Sequence, residues 1–227
     1  MNERPLHERF LEAIHEERLR LSSRRGFLTG TAKIGGGAAL AMTFAGARGP
    51  LAAFAQDATP AAAASDFADD IDVLNYALTL EHLEATFYRE GLDTFKADDF
   101  DKGVYDNLGL VRDHEAAHVS ALTDTITMLG GTPVEEAKYD FGYGDDADAF
   151  LKTAAALENT GVKAYDGAGA AIQNTDLLAV AGQIVAVEAR HASYLNLLND
   201  EVPFPASFEE TLSRDEVLEI AGPFIVK

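Results

Sequence analysis

Four glutamate-centred spacings carry the chemistry legible in this chain. Glu115-Ala-Ala-His118 and Glu188-Ala-Arg-His191 are Glu-x-x-His pairs, whereas Glu81 with Tyr88 and Glu158 with Tyr165 are Glu-x6-Tyr pairs. Residues three apart share a helix face, so each Glu-x-x-His pair can offer a carboxylate and an imidazole to one ion. In Glu-x6-Tyr the phenol lies two turns away, about 10 Å along the same face, close to such an ion without being a ligand. Each spacing occurs three times, the extra hits being Glu12 to His15 and Glu136 to Tyr143. Those two fall outside the predicted helices and are read as chance. The other four are set apart by their order: one per predicted helix, alternating in type. Glu81 and Glu158 are 77 residues apart, and Glu115 and Glu188 are 73 apart. This is the pattern of a helix hairpin present twice, the copies facing each other about a pseudo-twofold axis.

Composition points to the same chemistry. The 227 residues include 18 Lys+Arg against 38 Asp+Glu, a net charge of −20, and no cysteine. Such a balance repels nucleic-acid phosphates and offers no polybasic grip on anionic lipid, so cations are the natural partners and no nucleic-acid partner is expected. The absence of cysteine excludes disulfides, thiolate-ligated zinc or iron–sulfur sites and a thiol nucleophile. Four glutamates converging inside a helical bundle cannot all stay charged at low dielectric; they protonate, open to water, or bind cations. Two divalent ions would neutralise them and add their binding energy to folding. A set of carboxylates with two imidazoles suits Fe or Mn better than Cu(I) or structural Zn.

Helical periodicity supplies the elements that must hold these side chains. Acidic start signals at Asp66 and Asp69/Asp70 open a first helix running to about Thr94, and a second runs from about Asp101 to Leu129, where Gly130-Gly131 and Pro133 end it. A third spans about Asp146 to Gln173 and a fourth Asp176 to Asn199. No stretch alternates with period two, so the fold class is all-α. The first and second helices, and the third and fourth, have short connections and are antiparallel neighbours; residues 130–145 are long enough to run the length of a bundle. The expected architecture is two antiparallel hairpins joined by one long crossover. Residues 200–227, with a capping box at Ser213 to Glu216, form a C-terminal tail packed on the bundle.

Charge breaks sharply near the N-terminus. Residues 1–55 hold 8 Lys+Arg against 5 Asp+Glu, whereas 56–227 hold 10 against 33. Ser23-Arg24-Arg25-Gly26-Phe27-Leu28 stands before the apolar, Gly/Ala-rich stretch Ile34 to Ala47, and resembles a twin-arginine export signal. Ala53-Phe54-Ala55 offers a small-x-small cleavage site. Residues 1–55 are therefore read as a twin-arginine signal segment, 56–65 as a linker and 66–199 as the bundle. The implied location is periplasmic, cell-surface or extracellular, with the twin-arginine translocation machinery as a partner. An uncleaved anchor is the alternative.

Leu80-Glu81-His82-Leu83-Glu84, His114-Glu115-Ala-Ala-His118 and the run from Glu158 to Lys163-Ala164-Tyr165 resemble the ferritin-like di-metal carboxylate proteins, closest to the exported group that includes desiccation-related proteins. That resemblance covers roughly residues 66–199 and implies a ferritin-like four-helix bundle. It implies Glu81, Glu115, His118, Glu158, Glu188 and His191 as ligands of two divalent ions, Fe or Mn, with Glu115 and Glu188 bridging. Tyr88, Tyr165 and Glu84 would stand beside the ligands; Glu84 is one turn from Glu81 and is its rival, although the repeated Glu-x6-Tyr spacing favours Glu81. His82 and His114 are read as pointing elsewhere, with His114 and His118 a rival pair. Two functions follow: a di-metal oxidoreductase, ferroxidase-like or catalase-like, acting on dioxygen or peroxide, or a non-catalytic stress protein that holds metal for stability. A homo-oligomer is compatible with either.

Overall fold

The computed structural model describes residues 66–226; residues 1–55 and 56–65, read from the sequence as an export signal and a linker, lie outside the described residues. Among the described residues five α-helices follow one another: α1 (Asp70–Thr94), α2 (Val104–Met128), α3 (Ala147–Gly169), α4 (Thr175–Leu198) and α5 (Arg214–Ala221), with short 3-10 turns at Ala97–Asp99 and Gly222–Phe224. The first four make a ferritin-like four-helix bundle in which α1 pairs with α2, α3 pairs with α4, and α1 meets α3. Residues 129–146 are the long crossover between the two hairpins. Among the described residues there is no strand, only the isolated bridge Tyr139–Ile225 between crossover and tail.

Local chemistry sets the helix ends a few residues inside those the periodicity predicts. α1 starts at Asp70 because the Asp69 side chain caps it, accepting the Asp72 N–H at 2.9 Å. α2 starts after Gly103, whose φ of 86° lies in the left-handed region that a helix cannot include. α3 stops at Gly169 instead of reaching Gln173. The Asp70 carboxylate accepts the backbone N–H groups of Gln173 at 2.7 Å and Asn174 at 3.0 Å, drawing that stretch into the α3–α4 turn. Asn174 then caps α4 by accepting the Asp176 N–H.

The core has two characters, one on each side of the acidic level. On one side, where the crossover ends, lies an aromatic cluster: Phe87 stacks on Phe150 at 4.6 Å, and Phe141 and Tyr143 of the crossover meet Phe87 edge-on. Such pairs add about 0.5–1.5 kcal/mol each beyond the area they bury. On the other side is an aliphatic cluster built on Leu74, Leu78, Leu122, Ile126 and Ile184. Glu81, Glu115, Glu158 and Glu188 occupy the register between the two on their four helices.

The tail is folded and fastened. Ser213 and Glu216 form the reciprocal capping box that starts α5. Arg214 binds Asp72 at 3.0 Å and lies over the Phe67 ring at 5.1 Å, tying α5 to the start of α1. Leu212 donates its N–H to the Lys163 carbonyl at 3.2 Å, an approach that depends on Gly167. A Cβ at position 167 would lie 2.0 Å from the Leu212 carbonyl oxygen. Gly167→Ala is therefore expected to lift the tail from α3 and cost about 1–3 kcal/mol, the usual scale of overpacking. Thermal unfolding and limited proteolysis beyond residue 200 test this; an unchanged melting temperature with an unchanged cleavage pattern would refute it.

Candidate metal centre

Each long helix delivers one glutamate to the middle of the bundle, and Glu81, Glu115, Glu158 and Glu188 are completely buried. Each of the two Glu-x-x-His helices adds its imidazole on the same face, one turn on. The donors fall into two overlapping groups. Atoms of Glu81, Glu115, His118 and Glu188 lie within 4.8 Å of one another, as do atoms of Glu115, Glu158, Glu188 and His191. Glu115 and Glu188 belong to both, so the geometry lets them serve two ions at once.

Both imidazoles present Nδ1. His118 Nδ1 stands 3.2 Å from Glu81, 3.3 Å from Glu115 and 3.0 Å from Glu188. His191 Nδ1 stands 3.0 Å from Glu115 and 3.3 Å from Glu158. Even so, Glu115 Oε1, Glu158 Oε2, both Glu188 oxygens and His191 Nδ1 have no hydrogen-bond partner. Buried polar atoms are almost always paired. A cluster of unpaired buried oxygen and nitrogen atoms around a common centre is the arrangement a cation would complete, and carboxylate with imidazole is a donor set that divalent Fe or Mn accepts.

The Glu-x6-Tyr pairs work across the hairpins rather than within them. Tyr88 of α1 donates to Glu158 of α3 at 2.6 Å, and Tyr165 of α3 donates to Glu81 of α1. Burial, reinforced by those carboxylates, pushes both phenols well above the usual tyrosine range, so they stay protonated donors. Each fixes one carboxylate oxygen and leaves the other for the centre.

Burial and mutual contact push acids and imidazoles of the site away from their ordinary values. Burial pushes Glu81, Glu84 and Glu158 well above the ordinary carboxyl range, with neighbouring carboxylates adding to the rise. Burial would do the same to Glu188, but the adjacent His118 and His191 imidazoles outweigh it and hold that group at about 2. Burial alone would lower His118; contact with Glu115, Glu188 and Glu81 instead raises it to about 12. His191 is likewise raised by Glu158, Glu115 and Glu188 against the opposing effect of burial.

Glu84 is buried but belongs to neither donor group. It faces Gly161, where a Cβ would come 3.1 Å from its Oε1. Gly161 follows Glu158 as Glu84 follows Glu81, so the acid of one hairpin is accommodated by the missing side chain of the other. His82 is 3.2 Å from the Val134 carbonyl, out on the crossover. His114 does not point elsewhere and does not pair with His118: its Nδ1 meets His191 Nε2 at 3.0 Å, the rings nearly parallel at 11°. Were an ion bound at Nδ1, His191 would carry its proton on Nε2 and could donate it to His114, which would hold the ring's orientation. The sequence signal for this residue is its place one turn before His118 on the same face.

A model of the ferritin-like domain family matches residues 69–201. No curated protein matches the chain. The matched segment holds all six glutamate and histidine donors and both tyrosines.

Proposed function

Because the chain belongs to the ferritin-like domain family, we propose that it is an exported di-metal protein whose centre reacts with dioxygen or peroxide. The observation that carries the reading is the pair of four-donor groups sharing Glu115 and Glu188, with five of their buried atoms unpaired. In this reading Glu81 and His118 would hold one ion, Glu158 and His191 the other, and Glu115 and Glu188 could contribute to both. Fe or Mn ions would supply the redox electrons. The protein's part is positional: Tyr88 and Tyr165 orient the two terminal carboxylates, His114 orients His191, and the aromatic cluster excludes water from one side.

Export by the twin-arginine route rests on Ser23-Arg24-Arg25 and the apolar stretch behind it. That route moves folded proteins, which fits a centre loaded before export. No described helix is long and apolar enough to cross a membrane.

The test is to add Fe(II) or Mn(II) anaerobically to the full chain, measure bound metal, then supply dioxygen or peroxide and follow its consumption. Two ions per chain with oxidant consumption is the expected result. Two ions with no consumption would replace the oxidoreductase reading with that of a stress protein stabilised by metal. No bound metal would end both.

A further inference from the structure

An apolar cleft enters the bundle through the aliphatic cluster and ends one helical turn from the acidic centre. Its walls include Ala77, Leu122, Tyr165 and Ile184. Ala77 lies one turn before Glu81, Leu122 one turn after His118, and Ile184 one turn before Glu188; Tyr165 itself donates to Glu81. The inner wall is thus the layer of side chains that backs the metal donors. At the outer wall Ala121 is exposed and Val180 is 44% exposed, so the cleft reaches solvent between α2 and α4.

Size and polarity narrow what can enter. Taken over the centres of water-sized spheres, the cleft volume is about 30 Å³. At about 10–15 Å³ per sphere this is room for a molecule of roughly two heavy atoms. Of the wall hydroxyls, that of Thr125 is given to the Ala121 carbonyl at 2.7 Å and that of Tyr165 to Glu81. Only the buried hydroxyl of Tyr76 is unpartnered. Peroxide carries two hydroxyl groups, and a hydroxyl moved out of water without a partner is strongly disfavoured. Dioxygen has the same two heavy atoms and no such requirement.

We propose that this cleft is a dioxygen-binding route to the Glu81 side of the centre, and that peroxide does not use it. The inference rests on the reading that the centre reacts with an oxidant, and it names which one. Xenon serves as the probe, since it is apolar, small and needs no metal. In the full-length chain, methyl resonances of Ala77, Leu122 and Ile184 should shift saturably under xenon pressure and not under helium. Ala181→Phe, which places a ring at the wall on α4, should abolish those shifts; Ala181→Leu is the milder variant should the ring disturb folding. In Fe(II)-loaded protein the same variant should slow dioxygen-driven iron oxidation several-fold and leave peroxide-driven oxidation unchanged.

Absence of a xenon response in the wild type would overturn the cleft and leave the proposed function standing. A xenon response with both oxidants slowed alike, or neither slowed, would overturn the dioxygen route. Failure of the protein to bind iron, with the xenon response intact, would overturn the function and the route with it.

Discussion

Glu115→Ala and Glu188→Ala are each expected to strip both ions from the protein, whereas Glu81→Ala and Glu158→Ala should each leave one ion bound. The reason is the overlap of the two donor groups: the first two residues belong to both, the last two to one each. Loss of a partner that only orients a ligand typically lowers metal affinity about 10–100-fold, so loss of a shared ligand should exceed that at both positions. Metal analysis after dialysis at fixed free metal, with circular dichroism as a control for folding, reads the result. The corresponding Glu→Gln variants keep the side-chain volume and separate the loss of charge from the loss of packing. Equal metal content in the wild type and all four variants would remove the assignment.

From about pH 5 to 8 the chelated protein should lose stability while the stabilisation given by metal grows. In the chelated protein Glu81, Glu84 and Glu158 have folded pKa values raised above their ordinary 4.5. The unfolded chain therefore loses these protons first, and stability falls as pH rises past 4.5. His118, raised from 6.5 to about 12, acts in the same direction: its contribution is complete below 6.5 and is lost as pH climbs. Glu188, held at about 2, contributes stability above 4.5 that is lost only in acid below this window. Metal binding requires those protons to leave, so affinity grows with pH. At a free metal concentration 100 times Kd the bound ion adds about 2.7 kcal/mol. The melting temperature of the chelated form should fall from pH 5 to 8 while the increment given by metal widens. A chelated protein that melts higher at pH 8 than at pH 5 would show that the acids are not buried as described.

Helical period made much of this centre legible in the sequence, because Glu-x-x-His and Glu-x6-Tyr are statements about one helix face. Choices between residues on one face were only partly legible. Glu81 and Glu84 are three apart; the repeated Glu-x6-Tyr spacing favours Glu81, and the crossing of α3 gives the reason, bringing Tyr165 to Glu81 and Gly161 to Glu84. His114 acquires its partner from α4, 77 positions away, which no local spacing encodes. The capping box of the tail was readable, whereas the Arg214–Asp72 bond that fastens it joins residues 142 positions apart. Helix ends were set by contacts of the same kind: nothing near Gln173 announces that Asp70 will accept its N–H.

The exchange of phenols between the hairpins has a consequence for biosynthesis. Tyr88 completes Glu158 and Tyr165 completes Glu81, so neither half can finish its own carboxylate. While the chain is being translated, the acids of the first hairpin emerge with no counterpart, and the second imidazole, His191, arrives only with α4. An ion held by both donor groups would therefore have to wait until all four helices have been made, and a ribosome stalled before α4 would carry a chain without the second group's imidazole.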